Sequence, residues 1–121
     1  MTGERERERR GALEALDRIL NRGGDADDVL RDVLAVLARS FAYAGIRFVE
    51  EGRLVEGPSV GSRPGEVEEV PVVYEGIEVA RLGAGPGPVP AEDRTFLERV
   101  ALLVSPYCLV GWDTGGEAWE A

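Results

Sequence analysis

The chain's 121 residues, 44% of them hydrophobic, suit one domain of ordinary size around a single core. A formal net charge of -9 disfavours nucleic acid as a partner, because such binding rests on Lys and Arg neutralising phosphates. With no His and a single Cys, the chain excludes Ser-His and Cys-His nucleophiles, Cys/His zinc sites and an intrachain disulfide.

No apolar run approaches the ~18 residues of a membrane span. The opening stretch MTGERERERRGALEALDRIL has no apolar segment before its charged run, so it does not read as a secretory signal. A cytoplasmic protein with no membrane partner is expected. All 14 basic residues are Arg, and both Lys and Gln are missing. A GC-rich genome or heat would each produce that bias.

Residues 4 to 10 alternate Glu and Arg, with Glu4–Arg7 and Glu6–Arg9 at i,i+3, which supports a solvated helix start. Leu13, Leu16, Ile19 and Leu20 continue it as one apolar stripe, and Gly23-Gly24 ends it. Asp25 then caps a second helix, with Asp27 and Asp28 in its first turn. Its apolar face is Val29, Leu30, Val33, Leu34, Leu37 and Phe41, and Gly45 lies just beyond.

Ile46–Val49 reads as a strand that turns at Glu51-Gly52 and returns through Leu54-Val55. Residues 57–65, GPSVGSRPG, read as loop. A second hairpin spans about Val67 to Ala84, around VPVVYEGIEVARLGA, followed by the stiff loop GPGPVP. A third helix opens at Ala91-Glu92-Asp93 behind Pro90. Its apolar side is Phe96, Leu97, Val100, Leu103, Val104 and Tyr107; Pro106 should kink it and Gly111 end it. The order helix, helix, hairpin, loop, hairpin, helix predicts an α+β fold, an antiparallel β-sheet with helices packed on one face.

These elements resemble a GAF domain over roughly residues 12 to 110. The resemblance lies in a helix leading into YAGIRFVEEGRLVE, then VPVVYEGIEVARLGA, then PAEDRTFLERVALLVSPY. The family's later hairpin corresponds to Val70-Pro71, Gly76, Val79-Ala80 and Leu82. Its closing helix corresponds to Glu92-Asp93 and Phe96-Leu97. Residues 1–11 would then be a charged helix start and 111–121 an acidic tail.

The departures from that family are informative. Its members carry a long insertion roofing the ligand pocket, where this chain has only about ten residues, from Pro58 to Val67. The family's cyclic-nucleotide signature needs a Lys. The bilin-attaching Cys and the cysteines of the methionine-sulfoxide-reducing branch have no counterpart in the sheet or its loops. No functional residue of those branches carries over, and no cofactor is implied.

Cys108 sits late in the third helix, with no cation or helix N-terminus to lower its pKa, and is expected to be a buried structural thiol. Arg47 and Arg81 are the candidate site residues. If Glu75-Gly76 is a two-residue turn, Tyr74 pairs with Ile77, Val72 with Val79 and Val70 with Arg81. Val73, Ala80 and Leu82 then face the helices. Arg47, Val49, Val70, Val72, Val79 and Arg81 share the opposite face, which the resemblance makes the ligand face. Guanidiniums over an apolar floor suit a carboxylate or phosphate. A three-residue turn would reverse one strand's facing. The plainer alternative leaves the arginines solvated, or paired with Glu66, Glu68 and Glu69. Trp112 and Trp119 in the tail would anchor it to the domain or reach a partner subunit.

The functional expectation is a non-enzymatic regulatory or sensory domain. It would bind a small, anionic ligand and form a homodimer through its terminal helices. The alternative is a ligand-free dimerisation or interaction module of the same fold.

Overall fold

The computed structural model describes residues 2–109, and the side chains of residues 2 and 4–6 are outside that description. The expected pairs of Glu4 and Glu6, the Gly111 stop and the tail tryptophans Trp112 and Trp119 therefore lie outside the described residues. Helices α1 (Thr2–Arg22) and α2 (Ala26–Leu37) come first. Strands β1 (Tyr43–Glu50), β2 (Arg53–Val60), β3 (Glu68–Tyr74) and β4 (Ile77–Gly85) follow, and α3 (Ala91–Val104) closes the fold. The strands form one antiparallel sheet in the order β2-β1-β4-β3.

Helix α1 buries Ala12, Ala15, Leu16 and Ile19, one stripe at helical spacing. Gly23 ends it at φ +70°, and its N–H donates to the Ile19 carbonyl at 3.1 Å. The charged start is less solvated than its composition suggests. Arg9 pairs with buried Asp93 at the start of α3, and its guanidinium stands 4.8 Å from the Phe96 ring centre.

Asp25 has the extended backbone of an N-cap, φ -63° and ψ 137°, but its side chain makes no capping bond. The first turn is supported instead by Asp27, which accepts from Arg31 at 2.7 Å. The helix stops at Leu37, short of Phe41. Phe41 still reaches the core from the turn, where its N–H donates to the Leu37 carbonyl at 3.0 Å.

Both hairpins turn on Glu-Gly. Glu51 and Gly52 have φ of 53° and 78°, and Glu75 and Gly76 have 51° and 84°. Positive φ at both central residues is the type I′ signature, whose twist matches that of the strands. Residues 57–60 depart from the expected loop. They extend β2, because the pairing Gly45↔Ser59 followed by Arg47↔Glu56 absorbs Gly57 and Pro58 in a bulge. A Cβ on Gly57 would stand 2.4 Å from the Phe48 ring, so glycine lets that ring lie flat across the edge strand.

Helix α2 packs on β1 and β2, α3 on β3 and β4, and α1 on α2. Ile46, Phe48, Val70, Val72, Ala80 and Leu82 share one core with Leu16, Leu30, Leu34, Leu97 and Val100. Pro106 does not kink a longer helix. Lacking an N–H and clashing with the preceding turn, it accompanies the end of α3 at Val104 and a single 3-10 turn, Ser105–Tyr107. Leu103, expected on the apolar side, is 37% exposed, and Leu102 beside it 71%. No helix among the described residues is long and apolar enough to cross a membrane.

Candidate functional site

The two-residue turn at Glu75-Gly76 is present, with Tyr74 opposite Ile77. The ladder beyond it is not regular. Val73 faces Glu78, Val72 faces Ala80, Pro71 faces Arg81 and Val70 faces Leu82, so the register slips by one between Val72 and Val73. Val79 is the extra residue on β4.

That bulge corrects the expected facing. Val70 and Val72 turn into the helix-packed core and are 0% exposed, while Val73 is turned out and 41% exposed. Val79 is buried beside Ala80. Val70, Val72 and Val79 therefore form no apolar floor under the arginines. Ala80 and Leu82 face the helices as expected, and Arg81 faces away. Val49 remains on the face of Arg47, half-buried and opposite Leu54.

Arg47 and Arg81 stand directly opposite each other on the two central strands. Glu69 on β3 reaches across to them. Its carboxylate accepts from Arg47 Nε at 2.9 Å and Nη2 at 2.8 Å, a fork-to-fork contact. Arg63 Nη2 lies 3.8 Å and Arg81 Nη1 4.0 Å from the same carboxylate. Arg81 also donates to Glu78 at 2.8 Å. That hydrogen bond and the Glu78 charge, with a smaller part from Glu69, raise the Arg81 pKa further above its ordinary value. Glu56 stands opposite Arg47 on the other side, exposed on β2. The alternative pairing thus holds for Glu69. Glu68 points elsewhere, accepting from Arg94 of α3 and, at 3.4 Å, from the Val89 N–H.

Sequence reasoning did not reach Arg63 and Tyr43. The strand order explains why they belong to this face. Strands β2 and β3 are opposite edges, about 14 Å apart for strands about 4.8 Å apart. The segment 61–67 must cross that width, and an extended chain of that length reaches roughly 23 Å. It crosses at the end of the sheet marked by the Tyr43↔Gly85 pair.

Glycines permit the close approach. A Cβ on Gly85 would meet Pro64 at 2.7 Å, one on Gly83 would meet Val67 at 2.8 Å, and one on Gly45 would meet the Tyr43 hydroxyl at 2.4 Å. The crossing brings Arg63 over the Tyr43 ring, 5.7 Å from its centre, where it donates to the hydroxyl at 3.1 Å. An Arg between Gly and Pro residues in a short connection was the only signal in the sequence.

Cys108 is fully buried, and burial pushes its thiol pKa up to about 12. It lies in the core, away from the arginine face. Among the described residues, no group of His, Cys, Asp and Glu is placed to hold a metal ion.

No family model matches the chain, and no curated protein matches it in sequence. Solved structures match it in fold. The GAF domain of the Acinetobacter phosphoenolpyruvate-protein phosphotransferase superposes with a TM-score of 0.63 at 16% identity, covering 79% of this chain and 91% of that one. The type II free methionine-R-sulfoxide reductase from Thermoplasma acidophilum gives 0.61 at 14% identity, covering 72% and 94%. Two hairpins in one antiparallel sheet, packed against α2 and α3, thus make this a chain of GAF-like fold.

Proposed function

We propose that this chain is a non-catalytic regulatory or sensory domain of GAF-like fold that recognises a small anion on its Arg47–Arg81 face. The observation that supports this most is the convergence of Arg47, Arg63 and Arg81 on one carboxylate. A planar anion is what such guanidiniums bind best. One of the neighbours of this fold is a reductase. The buried Cys108, with its raised pKa, argues against thiol chemistry here. A cytoplasmic setting without nucleic-acid partners fits the acidic charge. A thermal-shift screen of small carboxylates and inorganic phosphate tests the proposal. An anion that stabilises the wild type but not Arg47→Ala supports it; a flat screen counts against it.

A second reading is favoured by a separate observation. Leu102 is 71% exposed on α3, a large apolar side chain beside half-exposed Leu103. The same fold would then serve as a ligand-free module that dimerises through its terminal helices. A monomer in sedimentation at micromolar concentration excludes this dimerising module, and a dimer that no anion stabilises favours it.

A further inference from the structure

We infer that Glu69 is an internal, displaceable occupant of the arginine cradle, and that the ligand class which exchanges with it is a small carboxylate. This deepens the anion-recognition reading and rests on the same face of the sheet. Four observations carry it.

The Glu69 carboxylate is gripped as a ligand would be, with Nε and Nη2 of Arg47 on its two oxygens at 2.9 and 2.8 Å. Arg63 and Arg81 close on it from two further elements, at 3.8 and 4.0 Å. Its side chain is 18% exposed, so the seat is in contact with water. Its stem also lies over Gly83, where a Cβ would come within 3.3 Å of Glu69 Cγ. Without that stem, Val67, whose Cγ1 lies 2.8 Å from the same point, would be the side chain left beside the seat.

The chemistry of exchange is one carboxylate for another. The charge in the cradle is unchanged, the Glu69 carboxylate moves out into water, and each guanidinium keeps a planar acceptor. Glu69 is covalently held on β3, so it competes intramolecularly and a free ligand must overcome its high local concentration. The cradle is closed at rest. A ligand that pulled Glu69 aside would take over its 3.8 Å contact with Arg63, while Arg63 keeps its hydrogen bond to Tyr43.

Truncation tests this directly. Glu69→Ala removes a methylene and a carboxylate, the heavy-atom set of acetate. Melting temperature is measured for the wild type, Glu69→Ala and Arg47→Ala/Glu69→Ala in sodium acetate and, at equal ionic strength, sodium chloride. The expected result is a lowered melting temperature for Glu69→Ala and a saturable recovery of most of that loss in acetate alone. The double variant should not respond, and the wild type should respond only at higher acetate, where Glu69 is displaced. Acetate acting no better than chloride, or equally on the double variant, overturns the inference.

If Glu69→Ala does not fold, Glu69→Gln provides the second measurement, read at the Arg47 Nε–H resonance. Acetate should move that resonance at a concentration at least about tenfold lower than in the wild type, because an amide is the weaker partner. Equal concentrations overturn the inference. The two proposals fail separately. An anion that stabilises the wild type, with acetate leaving Glu69→Ala unmoved, overturns the exchange and leaves anion recognition standing. Rescue of Glu69→Ala, with no anion moving the wild type, leaves a carboxylate seat but overturns the displacement of Glu69 and removes recognition by the resting protein.

Discussion

Arg47 and Arg81 stand directly opposite one another on β1 and β4, and a single carboxylate, that of Glu69, lies within 4.0 Å of both guanidiniums. Two like charges facing across neighbouring strands would repel. Glu69 from the edge strand turns that repulsion into a bridge across three strands. The face away from the helices is therefore held by charge, while the face beneath them is held by apolar packing.

That division gives a first test on adjacent residues. Leu82→Ala should cost about 2–5 kcal/mol, because it opens a cavity beneath the helix layer. Arg81→Ala should barely move the unfolding midpoint, since its ion pairs are exposed and screened by solvent. Urea unfolding of the two variants measures both.

The bulge gives a second test. Val72→Thr buries a hydroxyl in the core and should cost about 1–3 kcal/mol. Val73→Thr places the same hydroxyl in solvent and should stay within about 0.5 kcal/mol. A regular ladder from the same turn would reverse the two results, so denaturation midpoints decide the register.

These two valines also show where the sequence could be read and where it could not. The Glu75-Gly76 turn was legible because a type I′ turn has a local chemistry. The bulge was not. Val70, Val72, Val73, Val79 and Ala80 offer apolar side chains on both faces, so alternation fixes no parity. Which parity wins depends on the helix layer, which is not local information. Gly57 and Pro58 misled for the opposite reason. They are poor strand formers, yet they sit at a bulge where β1 supplies partners and the Phe48 ring needs the missing Cβ. Arg63 joined the site through the strand order, which no nearby residue announces.

Gly61 carries a third prediction. Its φ is +86°, and a Cβ there would stand 2.1 Å from the Ala42 carbonyl oxygen, which is backbone and cannot step aside. Gly61→Ala should destabilise by well over 1 kcal/mol, adding a clash to left-handed strain. Gly76→Ala, at φ +84° but with open space around it, should lose only about 1 kcal/mol. Thermal melts of the pair separate crowding from backbone conformation.

Cys108 links stability to alkaline pH. Its pKa rises from 9.0 to about 12 in the folded chain, because burial penalises the thiolate. Between those values the unfolded chain releases a proton that the folded chain retains. Stability contributed by this group is therefore full below about 9 and falls as pH rises towards about 12. Cys108→Ala should remove that part of the alkaline loss, at a cost of about 1 kcal/mol near neutral pH. Native protein should label slowly with a thiol reagent, and fast labelling would contradict the burial.

The most direct measurement is a titration of the wild type with a small dicarboxylate, followed at the arginine side-chain Nε–H resonances. If the sheet face away from the helices is an anion seat, Arg47, Arg63 and Arg81 move together and saturate at one common concentration. The exposed Arg39, Arg53 and Arg99 stay still. Shifts spread over all the arginines without saturation, or no shift at Arg47, would contradict it.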